Sequence, residues 1–142
     1  MSTPTPGTAI PAVQVAVHGA LTGDAVLMDL ITGVFDHLPE DQAYPYVVIG
    51  EATESPDNAH DRHGNQTTVT LHVWSQYRGY TQALTIAARI IQVLDHTALS
   101  IAGHRHVVTR YESSQTLTDP EPPGDIRHVP MRFRIVSEVD PA

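Results

Sequence analysis

The sequence predicts an α+β fold. It calls for a single small domain in which a mixed, mostly antiparallel sheet carries one long amphipathic helix, with short helices at the N-terminal end. Three observations lead there. The stretch Thr67–His96 changes period midway, from alternation of two residues to helical three-and-four spacing. The other strand-like segments are joined by short turn-rich connections, so that helices and strands segregate instead of alternating. The chain has 142 residues, 41% of them apolar, which is enough for one core without disulfide or metal staples, and no internal repeat divides it. We assign residues 10–139 to this domain and the Pro/Thr/Gly-rich residues 1–9 to a flexible arm.

Pro11 suits a first helical turn, and Ala12–Leu21 reads as a helix with Val13, Ala16, Val17, Ala20 and Leu21 on its apolar side. Asp24 is placed to cap a short second helix through Ala25–Ile31, ended by Gly33. Val34–Asp36 is a short extended piece before a turn over His37–Ala43. Tyr44–Thr53 (YPYVVIGEAT) reads as a strand apolar on both faces, as a central strand would be, with Pro45 tolerated only near its start. Ser55–Gln66 is polar and rich in turn residues, and is expected to be a loop of about a dozen residues, a length typical of functional or mobile loops.

From Thr67 onward, Val69, Leu71 and Val73 fall on one side of a strand and Thr68, Thr70, His72 and Trp74 on the other. After the connector Gln76–Gly79 comes a helix that stops near His96. Ala83, Ala87, Ile90 and Leu94, joined by Leu84, Ile86, Ala88, Ile91 and Val93, give it a broad apolar face opposite Gln82, Thr85, Arg89, Gln92 and His96. Ala98–Ala102 is expected as a short strand turned by Gly103, His106–Leu117 as a long mixed segment, and Asp119–Asp125 as a loop. Ile126–Glu138 is the last strand, with Val129, Met131, Phe133 and Ile135 inward and His128, Arg132 and Arg134 outward. Pro130 cannot donate to a ladder and predicts an edge strand or a bulge.

Charge is distributed unevenly. All eight cationic side chains are arginine, and residues 1–61 hold nine carboxylates without a single arginine, so the net charge of −8 lies almost wholly in that half. A nucleic-acid binder shows the reverse, a basic patch, and tight phosphate binding is not expected. Solubility, repulsion of DNA, and pairing of an acidic surface with an arginine surface of a neighbouring subunit all remain open. The absence of cysteine excludes disulfides, thiolate chemistry and cysteine-based zinc sites. No apolar run approaches the roughly 20 residues that span a bilayer. The N-terminus lacks the basic-then-apolar order of a secretory signal, so the expected compartment is a cytosol or a particle assembled in one.

Catalytic signals are weak. His60 and His63 share a segment with Asp57 and Asp61, and His104 and His106 flank Arg105, but a defined metal site needs three or four ligands held by outer contacts. No GxSxG elbow surrounds a serine, and no Gly-rich phosphate loop occurs. Glu112 with Asp119 or Glu121 would work as a carboxylate pair only if they projected into one cleft. Trp74, Tyr77 and Tyr80 near Arg78 have the stacking surface to bind a base but no basic groove, and read as core edge or subunit interface. Neither an enzyme site nor a metal or other cofactor is expected.

The order YPYVVIGE (44–51), TVTLHVWS (68–75) and ALTIAARIIQVLD (83–95) resembles the phage tail-completion, or tail-terminator, family. An N-terminal helix followed by VFDHLP, and the C-terminal RYESSQTLTDPEPPGDIRHVPMRFRI, agree with it, so the resemblance spans roughly residues 10–137. These motifs are structural and specific only as an ordered set; none is catalytic, and segment 55–66 departs most freely from the pattern. The resemblance implies a structural virion protein assembled in a bacterial host cytoplasm. It implies a homo-oligomeric ring, commonly a hexamer, that caps the tail tube, stops polymerisation of the tail tube protein and presents a surface to the head–tail connector. DNA would pass through the lumen without specific binding, and no membrane would be involved. Gene-transfer agents and tail-derived machines use similar rings.

On that reading Arg132 and Arg134, with Arg78, face carboxylates from the first half of a neighbouring copy. Trp74, Tyr77 and Tyr80 mark the corner nearest a subunit boundary. Glu51, Glu54, Asp57, His60, Asp61, Arg62 and His63 are candidates for a loop that lines the lumen or meets a partner. The alternatives are another neck or tail-tube component, a small metal-dependent enzyme built on His60 and His63, and a monomeric interaction domain.

Overall fold

The computed structural model describes residues 7–120 and 124–140. Helices α1 (Ile10–Thr22) and α2 (Ala25–Leu30) lead into strands β1 (Val34–Phe35), β2 (Tyr46–Pro56) and β3 (Gly64–Gln76). Helix α3 (Thr81–Leu94) follows, then β4 (His104–Ser114), β5 (Leu117–Thr118) and β6 (Ile126–Val139). The sheet order is β1, β2, β3, β6, β4, with β5 also on β6; β1 is parallel to β2 and all other pairings are antiparallel. This is the mixed, mostly antiparallel α+β sheet that the sequence predicts.

The period-two pattern of β3 and β6 sets the core. Val69, Leu71 and Val73 pair in register with Phe133, Met131 and Val129, and all six are buried. Onto this layer α3 lowers Ala83, Ile86, Ala87, Ile90 and Leu94, and α1 adds Val13, Val17 and Leu21 at four-residue spacing. The Asp24 carboxylate caps α2 by accepting the Leu27 N–H at 2.9 Å, as expected. All three helices feed one apolar cluster on one side of the sheet, which leaves the other side without a helix. Among the described residues, no helix is long and apolar enough to cross a membrane.

Several expectations are corrected. The apolar face of α3 is narrower than the sequence suggests, since Leu84 is 45% exposed and Ala88 is also exposed, lying beyond the strip that the sheet can cover. Ala98–Ala102 is not a strand: Leu99 and Ile101 are buried, but Thr97 N–H bonds Leu94 O, His104 N–H bonds Ile101 O, and the sheet edge belongs to β4. Alternation there records burial and not pairing. Helix α2 stops at Leu30, with Ile31 already extended, before Gly33 is reached. Strand β2 is flanked by β1 only at Val47 and Val48, so most of its length is an edge. Pro45 lies just outside that strand, after a cis Tyr44–Pro45 bond.

The loop expected at 55–66 is largely a hairpin. Ser55 pairs with Gln66 and Pro56 with Asn65, leaving only Asp57–His63 as the turn. Asp57 N–H closes it on Gly64 O at 2.8 Å, and Gly64 allows that approach because a Cβ there would stand 2.2 Å from Asp57 O. Pro130 does not mark an edge or a bulge; β6 runs between β3 and β4. Within an antiparallel strand, the N–H and C=O of one residue point the same way. Pro130 O accepts the Gln115 N–H at 3.2 Å, on the side where β4 has ended at Ser114 and β5 has yet to begin at Leu117. Pro130 therefore stands where neither β4 nor β5 pairs with β6. Residues 7–9, counted with the flexible arm, are held: Ala9 is buried, its N–H bonds Glu54 at 2.8 Å, and Gly7 O accepts from Asn65 at 2.8 Å. The rest of the arm, residues 1–6, lies outside the described residues, as do 121–123 of the expected 119–125 loop.

Candidate assembly interface

The uncovered face of the sheet is built by the residues that alternate with the core. Thr68, Thr70, His72 and Trp74 of β3 stand in register with Arg134, Arg132, Pro130 and His128 of β6. A cleft of about 550 Å³ opens here, with the threonines 53, 68 and 70, Arg132, Glu51 and Glu112 along its walls. Arg132 is exposed and Arg134 half-buried, and the Nε of Arg134 is buried without a hydrogen-bond partner. Neither guanidinium forms an ion pair among the described residues. Arg78, exposed in the turn between β3 and α3, has none either.

The other arginines are all engaged. Arg89 binds Asp24 through Nε and Nη2 at 2.8 and 2.7 Å, tying α3 to the cap of α2. Arg62 and Arg105 converge on Glu138. Arg110 meets His96 at 2.7 Å. Arg127 fixes the corner: it donates to Tyr77 O, Arg78 O and Thr118 Oγ1 and lies 5.2 Å from the centre of the Tyr80 ring. Five arginines thus hold the fold, and Arg78, Arg132 and Arg134 do not. The sequence singled out these same three.

Beside the cleft three rings form a stack. The Trp74 and His128 rings lie 3.9 Å apart at 5°, and His72 stacks on His128 at 4.9 Å. His72 Nδ1 and His128 Nε2 are 2.6 Å apart, so a single proton fits between them, and His72 Nε2 reaches Glu51 at 3.2 Å. Burial first, then the neighbouring His72, pushes the His128 pKa down against the opposing pull of Glu51. The Glu51 carboxyl is held below its usual range, chiefly by its own backbone N–H, and His72 adds to this against the cost of burial.

The segment expected to line a lumen divides into three parts. Glu51 sits in the bulge of β2 and belongs to the histidine stack. Glu54, also in β2, is turned inward onto Ala9; burial opposes its ionisation, but bonds from Ala9 N–H, Asn65, Thr8 and Thr67 outweigh that and lower its pKa. Glu51 and Glu54 therefore do not belong to a loop, because β2 continues to Pro56. Asp57, His60 and Asp61 are exposed at the hairpin tip with Arg62, which is bonded to Asp61 at 3.3 Å and Glu138 at 3.0 Å; His63 is half-buried at its base. Among the described residues no group of three or more His, Cys, Asp or Glu is placed to hold a metal. His106 Nε2 contacts Thr109 Oγ1 at 2.6 Å, but Thr109 is 1% exposed and so out of a substrate's reach.

Sequence reasoning placed Trp74, Arg132 and Arg134 on one face correctly by alternation, with Tyr77, Arg78 and Tyr80 at the adjoining corner. It missed Arg127, the Asp24–Arg89 pair, Glu138 and the partnership of His72 with His128. Each of these depends on register or packing between segments far apart in the chain, and no local pattern encodes it.

The sequence model of the family described as tail completion protein gp17 matches residues 15–138. The tail completion protein gp17 of Bacillus phage SPP1 is 30% identical over 128 residues, spanning 87% of this chain and 92% of that protein. Among solved structures, a chain in the virion of a native gene transfer agent particle aligns with TM-score 0.81 at 25% identity, covering 92% of this chain and 98% of the other. The structure of bacteriophage SPP1 gp17 aligns with TM-score 0.58 at 25% identity over 89% of each chain. A match along most of its length, to the family model and to a relative of that name, means that the chain belongs to the tail completion protein gp17 family.

Proposed function

We propose that this structural tail-completion protein closes into a ring of six copies at the end of the tail tube, stops polymerisation of the tube protein and joins the tail to the head connector. Family membership supports the tail-completion role, and the likeness to a gene transfer agent virion chain supports a place in an assembled particle. The observation that carries the ring is the trio Arg78, Arg132 and Arg134, cationic and without an ion-pair partner among the described residues, two of them on a sheet face that no helix covers. A guanidinium left open in this way is suited to a bidentate bond with a carboxylate from another chain. Trp74, Tyr77 and Tyr80 lie at the edge of that contact. The hairpin tip Asp57–His63 faces the lumen, where carboxylates keep passing DNA from binding the wall. Assembly takes place in the host cytoplasm, before the virion is complete.

Native mass spectrometry and negative-stain microscopy of the purified protein, alone and with tail tubes, test this. Rings near six times the chain mass are expected. A protein that stays monomeric in both settings would refute the ring. In a producing strain, loss of the protein should give tubes beyond normal length and unjoined heads; tubes of normal length would place the protein elsewhere in the neck.

A further inference from the structure

We infer that the uncovered sheet face of one copy takes the acidic turn Asp36–Asp41 of the next, with Arg132 and Arg134 as the receiving cations; this rests on the ring reading above. The argument begins with charge. Asp24, Glu51, Glu54, Asp61, Asp95, Asp125 and Glu138 all have partners within the chain. Asp36, Glu40 and Asp41 have none among the described residues, are exposed, and fall within six residues of one another. Among the described residues a cluster of anions and a set of cations are thus left unmatched.

Their positions explain why they stay unmatched. The acidic turn follows β1, at one border of the sheet, while Arg132 and Arg134 lie on β6, with β2 and β3 between. The two patches cannot meet inside one chain. Two different patches that complement each other across copies make a heterologous contact, the type that closes rings. The receiving side has the right chemistry: an open cleft with Arg132, three threonine hydroxyls, and the partnerless buried Nε of Arg134 beside it. The delivering side is preformed at its base, because Thr32 Oγ1 donates to Ala43 O at 2.8 Å and Gln42 donates to Thr32 at 3.1 Å. Glu112, on the wall of the cleft and unpaired among the described residues, works against an incoming carboxylate and limits the contact's strength.

The test uses the ring itself. Arg132→Glu/Arg134→Glu and, separately, Asp36→Arg/Glu40→Arg/Asp41→Arg should each lose the ring at concentrations where the unaltered protein is fully assembled. Mixing the two variants should restore mixed assemblies, and Glu112→Gln alone should let rings persist to higher salt. Because the chain has no cysteine, Glu40→Cys with Ser113→Cys supplies the only thiols, and oxidation of the ring should give a ladder of cross-linked copies. Rings that form normally from the arginine variant, or intact rings that yield no cross-link, would overturn this contact and leave the ring reading standing. Failure of the unaltered protein to form rings would instead refute the ring itself. Circular dichroism melts confirm that each variant is folded before its assembly is scored.

Discussion

Gly50 lacks a side chain where one would collide with a histidine. A Cβ there would come within 2.5 Å of the His72 ring and 3.2 Å of Thr70 O. Gly50→Ala should therefore displace His72 from His128 and loosen the ring stack. Trp74 is the only tryptophan, so its emission reports the change directly; an unaltered spectrum would show that the stack tolerates the methyl group. The same stack gives stability a pH dependence whose sign follows from His128. Its pKa is lowered in the folded state by burial and by His72, with Glu51 opposing. The unfolded chain then binds more protons than the folded one as pH falls through the ordinary histidine range, so stability is complete above about 6.5 and declines below it. Replacing His128 with Asn should flatten that decline in a series of thermal melts, and an unchanged slope would assign it to another histidine. Asp24 acts at lower pH. Bonds from Arg89 and from the Leu27 N–H hold its carboxyl at about 2 against an ordinary 3.8, so its contribution is present above that ordinary value and disappears as pH falls toward the lowered one. Asp24→Asn should erase that part of the acid limb while keeping a competent helix cap.

At the scale of elements, β3 and α3 were legible because each is half-buried: only one side of such an element must be apolar, and the resulting period names the element. The less legible elements fail for physical reasons. The outer ends of β2 and β3 pair through backbone alone, so Ser55, Pro56, Asn65 and Gln66 carry no apolar signal and resemble a loop. Leu99 and Ile101 carry the signal without the ladder. Pro130 misleads because an interior strand can hold a proline where its neighbour has stopped: β4 ends at Ser114 and β5 begins only at Leu117. The candidate face divides in the same way. Which side Trp74, Arg132 and Arg134 occupy follows from alternation, but that His72 meets His128 requires a register between residues 56 apart. The hairpin's dependence on Gly64 yields a measurable consequence. A methyl group there must push against the carbonyl of Asp57, which is backbone and cannot step aside. Gly64→Ala should destabilise the protein by about 1–3 kcal/mol, the usual cost of forcing atoms into filled space, read as a lower urea midpoint with unchanged slope. A midpoint equal to that of the unaltered protein would mean that the hairpin opens freely.

For the whole molecule the decisive quantity is where charge is left over once the fold has used what it needs. Arg62 is drawn back onto Asp61 and Glu138, and Asp57 remains exposed at the tip with no cation paired to it among the described residues. In the proposed ring this tip lines the lumen, and the net charge of −8 per copy keeps phosphates at a distance. Electrostatic binding to DNA is strongest at low salt, where the screening length grows to about 30 Å at 0.01 M. Even there, rings of the unaltered protein should leave double-stranded DNA unretarded in a gel. Rings carrying Asp57→Arg and Asp61→Arg should retain linear DNA. They should not retain closed circles, because a circle has no end to thread through a closed ring. The contrast between the two DNA forms separates a wall from an outer surface. Equal retention of circles and linear molecules would put the hairpin on the outside of the ring, and no retention of either would remove it from the path of DNA.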